Sequence, residues 1–438
     1  MSFKGKLRRS ARAIRIKLNL GLGKVAPLTH LIPEQPRRYV RDLLTTLTTP
    51  KDLRPYRSPI QEGKMIAPPG INVYGMFQTQ IGLGQGARLY AKSLQLSQIP
   101  CDFVNLDFVE FPKDEDSMDA ILRPEGRYAL NLIHVSADQI ERACSPFPHK
   151  CFDNHYNIGV WLWELERLPA NWIRYYDYVD ELWVPSTFIS DAARKDTDKP
   201  ITVIPYGIET PVDESVRADF GFSEDEFLVL AMYDSKSFAS RKNPEGAIKA
   251  FVQAFGDRDN NAALVLKVAN GKPEELKKLQ ERLDESSIRY YLITEKFPKP
   301  RLNSMIRCCN VFISLHRSEG FGLVIAEAMN LGVPVVATGW SANLDFMPTD
   351  YTFLVGYEMV PVGDSYYGEI ENPIWADPHI NEAAAALQTI LENPVLAREK
   401  AVAAQKYIQE YYSLEASAKK MEVRYLEICK ELKEKGLL

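Results

Sequence analysis

A chain of 438 residues is too long for one simple hydrophobic core and calls for two domains of roughly 150–200 residues each. Its 45% hydrophobic and 25% charged content is that of an ordinary globular protein, and a net charge of −5 argues against bulk binding of nucleic acid. The six cysteines show no C-x-x-C pair or metal-ligand spacing, and no apolar run approaches the roughly 20 residues that span a bilayer, so a disulfide scaffold, a zinc site and a membrane-spanning helix are not expected. With no cleavable signal pattern at the start, a reduced, cytoplasmic setting is expected.

Residues 1–24 depart from the acidic balance. Lys4, Lys6, Arg8, Arg9, Arg12, Arg15, Lys17 and Lys24 occur there with no acidic residue, while Phe3, Leu7, Ala11, Ile14 and Leu18 fall on one helical face. This predicts a basic amphipathic helix, fit either to lie on an anionic membrane surface or to cap the following domain. Residues 1–70 read as an N-terminal extension, with a further short helix around 37–47.

The first domain is expected over 71–210. Residues 71–77 are a buried strand, and Thr79-Gln-Ile-Gly-Leu-Gly-Gln-Gly86 is a glycine-rich turn opening a helix through Leu96. Gly82 and Gly84 let backbone amides approach an anion, and Arg88 on the first helical turn is a candidate ligand on the acceptor side. The acidic run Asp114–Asp119 lacks the strand context of a D-x-D metal motif, so a solvated loop and no catalytic metal are predicted. Residues 128–135 form a strand ending near His134. The aromatic stretch 157–186 is read as two strands, 160–164 and 182–186, with most rings in the core; Glu164 remains as a second acceptor-side candidate. Ser186 caps the helix that follows.

The second domain is expected over 216–412. A strand at 227–232 leads to a basic loop with Lys236, Arg241 and Lys242 ahead of a helix to about Phe255. Lys267 is an odd cation inside the apolar strand 263–268, either functional or snorkelling to solvent. A strand at 290–294 ends at Thr294, and a helix covers 302–309. The organising stretch is 311–338, read as strand, polar loop with two glycines, helix stopped by Gly332 and Pro334, and strand. Loops at the carboxyl ends of such strands bind ligands. Here Glu319 and Glu327 can face one crevice, while the amides of Gly320, Phe321 and Gly322 lie at a helix N-terminus suited to phosphate. The end of the chain, from Asn381, is helical in three segments.

The pattern S-E-G-F-G-L-x3-E-A-M-x2-G-x-P-V-V-A-T over Ser318–Thr338 resembles the donor-site signature of retaining family 4 glycosyltransferases of the GT-B fold. That resemblance implies an α/β architecture of two doubly wound, Rossmann-like domains facing across a cleft, with residues 413–438 crossing back to the first. It implies transfer of a sugar from a nucleotide diphosphate sugar to a hydroxyl of a glycan or lipid-linked glycan, with no cofactor and with retention of configuration. By position, Glu319 would contact the transferred sugar, Glu327 the ribose, His134 the sugar, and Lys242 the leaving diphosphate. Thr294 would lie beside the base, and the resemblance adds the amide of Leu323 near sugar and phosphate. Lys236 stands where the family has Arg and cannot offer a bidentate grip, so Arg241 is the substitute. Tyr206, in Ile204-Pro-Tyr-Gly-Ile208, replaces the family's Asn. A non-catalytic sugar-nucleotide-binding subunit and a sugar-nucleotide epimerase of the same fold remain as alternatives.

Overall fold

The computed structural model describes residues 55–438 except 66, 108–117, 257–260, 364–366 and 368–369. The basic helix read at 1–24, the short helix near 37–47 and most of the acidic run at 114–119 lie outside the described residues.

Twelve of the strands form two parallel six-stranded sheets. The first contains β1 (Ile71–Gly75), β2 (Cys101–Asn105), β3 (Leu130–His134), β4 (Tyr156–Val160), β5 (Glu181–Val184) and β6 (Ile201–Val203), in the order β2-β1-β3-β4-β5-β6. The second contains β7 (Phe227–Asp234), β8 (Ala262–Ala269), β9 (Tyr290–Ile293), β10 (Val311–Ser314), β11 (Val335–Thr338) and β12 (Phe353–Val355), in the order β12-β11-β10-β7-β8-β9. The core strands β1, β3 and β4 are buried along their whole length, the pattern of a parallel sheet covered on both faces by helices. In each sheet the chain reverses its winding direction at one point, between β1 and β3 and between β7 and β10. Crevices open at such points, at the carboxyl ends of the strands.

An asparagine ladder holds the register of the first sheet. Asn72, Asn131 and Asn157 are paired partners on β1, β3 and β4. Asn72 donates to Asn131 at 2.8 Å, and Asn131 donates to Asn157 at 2.8 Å. All three are buried, so a slip of one residue would strand several amide groups away from water.

The strand expected at 160–164 is displaced. β4 ends at Val160, and Trp161 to Glu164 run as coil. The alternation of large and polar groups there imitates a strand, but β3 stops at His134, opposite Val160, so no neighbouring backbone continues the ladder. A further element had no reading in the sequence: β13 (Tyr357–Pro361) and β14 (Ile374–Pro378) form an antiparallel ribbon projecting from the second domain.

The last helix, Leu414–Glu434, is capped by Ser413 and packs against the Gly82–Leu96 helix of the first domain. Its anchor is Arg424, which grips the fully buried Glu181 through two bonds of 2.9 and 2.8 Å. Tyr156, Trp183 and Thr202 also donate to Glu181, at 3.0, 3.0 and 2.9 Å. A buried carboxylate tolerates such a place only when paired and saturated with donors. Arg424→Leu is therefore expected to lower stability by about 3–5 kcal/mol in urea unfolding, the range for breaking a buried ion pair, whereas the exposed neighbour Lys430→Leu should shift it little.

Candidate active site at the second winding reversal

The two loops that leave β7 and β10 meet at the reversal point of the second sheet. After β7 the chain passes through Phe238, held at φ 61°, a left-handed conformation that a bulky side chain adopts only under local constraint. One short turn, Ala239–Lys242, follows, and Asn243 at φ 51° starts the helix Pro244–Phe255. Asn243 accepts from the amide of Gly246 at 3.1 Å and donates to the carbonyl of Leu315 at 2.9 Å. This one side chain caps the helix and ties the basic turn to the exit of β10.

That tie brings the cations onto Glu319. Lys242 donates to Oε1 of Glu319, and an Arg241 terminal nitrogen lies 3.2 Å from Oε2. Arg241 also donates to the carbonyls of Ser318, at 2.8 Å, and Ser237, at 3.3 Å. From the first domain, Glu164 approaches Arg241 at 3.5 Å. The cluster of two cations and two carboxylates balances in charge. Burial alone would raise the pKa of Glu319, which is 7% exposed, but Lys242 and Arg241 outweigh it and hold the group at about 2. Glu319 is therefore an anion, and an acceptor only, at any working pH. For Lys242 burial pulls downward, opposed by Glu319.

Glu319 is fixed from behind. Its amide donates to Ser341 Oγ at 2.9 Å, and buried His316 meets Asn343 at 3.0 Å, joining the loop after β10 to the loop after β11. Gly322, at φ 96°, turns the chain into the Leu323–Asn330 helix, whose first amides have no intrahelical acceptor by position. Glu327 lies in the second turn, 3% exposed, with Lys299 at 2.6 Å from one oxygen.

The first domain closes on this loop by backbone contacts. Ser318 donates to the carbonyl of Glu164, and Ser186, already the cap of the Thr187–Ala193 helix, donates to the carbonyl of Gly320 at 2.8 Å. Phe321 packs edge-on against Tyr206, ring centroids 5.3 Å apart. The β13–β14 ribbon covers the same side: Tyr367 donates to Glu164 at 3.4 Å and stands edge-on to Trp163, and Arg317 pairs with Asp377 at 2.8 Å.

The remaining sequence candidates are placed differently. Gly82 is exposed with open space around it, whereas a side chain at Gly84 would strike the carbonyl of Thr79. Arg88, read as an acceptor-side anion ligand, is instead buried and donates to the carbonyls of Phe77 and Thr79 at 3.0 and 2.9 Å, so it shapes the glycine loop from below. His134 is fully buried, its Nε2 3.0 Å from the hydroxyl of Tyr206, and thus reaches the Phe321 loop through that ring. Lys236 and Thr294 are exposed at the ends of β7 and β9. Lys267 is buried under the Phe297 ring, 5.5 Å from its centre. Asn243, Ser186, Lys299 and the ribbon had no reading as site residues; Asn243 and Ser186 carried local signals, an Asn-Pro helix start and a helix cap.

Two doubly wound domains closing over a charged crevice at the reversal point define the GT-B architecture of glycosyltransferases. Residues 213–347 match the family model "Glycosyl transferases group 1". No curated protein sequence matches the chain. Among solved structures, HepE from Anabaena, in complex with UDP and glucose, superposes with a TM-score of 0.58 at 14% identity, covering 82% of this chain and 100% of HepE. Sucrose-phosphate synthase from Thermosynechococcus elongatus gives 0.60 at 15% identity, covering 83% and 100%. A mutant of S. aureus TarM, in complex with Fondaparinux, alpha-GlcNAc-glycerol and UDP, gives 0.50 at 16% identity over 68% of this chain; the chain spans 55% of TarM. No helix among the described residues is long and apolar enough to cross a membrane.

Two tests follow from this geometry. A methyl group at Gly320 would sit 2.5 Å from the carbonyl of Trp163, so Gly320→Ala should wedge the domains apart and raise the radius of gyration in solution scattering. His134 carries the second. Burial lowers its pKa from 6.5 to about 4. The neutral form is the native one, so its contribution is complete above the ordinary value and is lost as pH falls toward 4. Between pH 7 and pH 5 this one residue should remove about 2 kcal/mol from the unfolding free energy. His134→Gln should flatten that part of the slope in urea titrations at the two pH values, leaving the share of His316, which burial also lowers.

Proposed function

We propose that the protein transfers a hexosyl group from a nucleoside diphosphate sugar to a hydroxyl of a glycan or lipid-linked glycan, with retention of anomeric configuration. The observation that carries this reading is the meeting of Lys242, Arg241 and Glu319 at one reversal point, with Glu327 on the adjoining helix. In the donor complex the diphosphate takes the place of carboxylates as partner of the two cations. Lys242 and Arg241 then neutralise the charge that grows on the leaving group, the step where fixed cations act most strongly. Glu319, released from Lys242, accepts from sugar hydroxyls, and the amides of Phe321, Gly322 and Leu323 face the sugar and phosphate. Gly82 and Gly84 bring the first domain's amides up from the opposite wall.

The reaction needs no enzyme nucleophile. The bond from the anomeric carbon to the diphosphate oxygen breaks, a bond to the acceptor oxygen forms on the same face, and the acceptor proton passes to a phosphate oxygen. His134 acts through Tyr206 on the Phe321 loop, and Glu164 lies on the acceptor side. The complexes of HepE and TarM with UDP make uridine diphosphate sugars the first donors to try. The basic residues 1–24 suit the enzyme to an anionic membrane face, where lipid-linked acceptors reside.

With a donor that turns over, Lys242→Ala and Glu319→Gln are expected to lower kcat by about 10²–10³-fold, the usual effect of removing one transition-state contact. Glu327→Ala should act mainly on the donor KM. Wild-type rates in all three would remove the assignment. Mass spectrometry of products formed from donor alone separates transfer from epimerisation, and product NMR reads the anomeric configuration.

A further inference from the structure

The two oxygens of Glu327 have different surroundings. Oε1 lies 2.6 Å from the ammonium of Lys299, while Oε2 is buried and accepts a hydrogen bond from none of the described residues. A buried acceptor without a donor is rare in a native fold and calls for a partner. Lys299 reaches this carboxylate from a separate element. It is the first residue of the Lys299–Cys308 helix, reached from β9 by a short loop through Phe297. Pro298 and Pro300 flank it, fixing the backbone angles on both sides, so the ammonium is delivered from a stiff helix start. Its side chain is 30% exposed, whereas that of Glu327 is 4% exposed, so the carboxylate is the inner partner of the pair.

We propose that Lys299 is a positioning residue that assigns the two oxygens of Glu327 and thereby makes the site specific for ribonucleotides. An unheld carboxylate turns about its last bond and presents either oxygen. With Oε1 held by a charge-assisted bond, the plane of the group is set and Oε2 alone points to the ligand. A carboxylate oxygen is an acceptor only, which is what a pair of ribose hydroxyls requires. The inference rests on the reading of Glu327 as the ribose ligand.

The test uses the full chain and isothermal titration. The nucleotide is whichever of UDP, GDP and ADP most raises the melting temperature, and it is compared with its 2′,3′-dideoxy counterpart. The wild type is expected to bind the ribonucleotide about tenfold or more tightly, as loss of a hydrogen bond to a charged acceptor implies. In Lys299→Met that ratio should collapse to within about twofold, by weakening of the ribonucleotide alone, and Lys299→Arg should restore much of it. If Lys299→Met does not fold, Lys299→Gln is read in the same way. No stabilising nucleotide, or no ribose preference in the wild type, would overturn the Glu327 reading and the inference with it. A wild-type preference that persists in the variant, with both ligands weakened equally, would overturn the role of Lys299 alone and leave the donor site standing.

Discussion

The site depends on one buried anion. Glu319 sits where two loops and two domains meet, and desolvation works against its charge. Arg241 and Lys242 reverse that effect and hold it ionised to about pH 2. The same contacts shape the backbone, because Arg241 also binds the carbonyls of Ser318 and Ser237. Without the carboxylate, two cations would face each other in a site from which water is largely excluded, and the loops after β7 and β10 would lose their common partner. On the proposed function, arrangement of the loops and readiness for a diphosphate are one property: the cations are assembled by an internal anion that an external one would replace.

The two domains meet on backbone atoms at this same loop. Ser186 and Ser318 cross the interface to main-chain carbonyls, and Gly320 allows the approach because it has no side chain. Apolar side chains close the same joint: Phe321 packs on Tyr206, Trp163 on Tyr367 and Phe188 on Trp340. A second connection lies in the last helix, where Arg424 binds the buried Glu181.

Much of this was legible in the chain. The buried strands are short β-branched runs, the helix stops are Gly332 and Pro334, and the Ser186 cap is a local hydrogen bond; each is decided within a few residues of sequence. The loop that carries Glu319 was legible as a loop too, since glycines, carboxylates and helix start lie in one continuous stretch. The β4 boundary was not, because a strand ends where its neighbours end, and that is a property of the sheet. The ribbon at β13–β14 had no reading either, as its two strands find each other across a loop.

What the sequence by itself determined was the list of chemical groups and the winding that sends the loops of β7 and β10 to one crevice. What only the tertiary structure decided was which cation meets which anion. Spacing favoured Lys236, yet that side chain is exposed while Arg241 is buried against Glu319, 78 residues away by their numbers. Lys299 carried no motif at all and became visible only beside Glu327. The physical reason is range: helix and strand preferences act over a few residues, whereas electrostatic partners are chosen in space, after burial has removed the water that would otherwise screen every candidate alike.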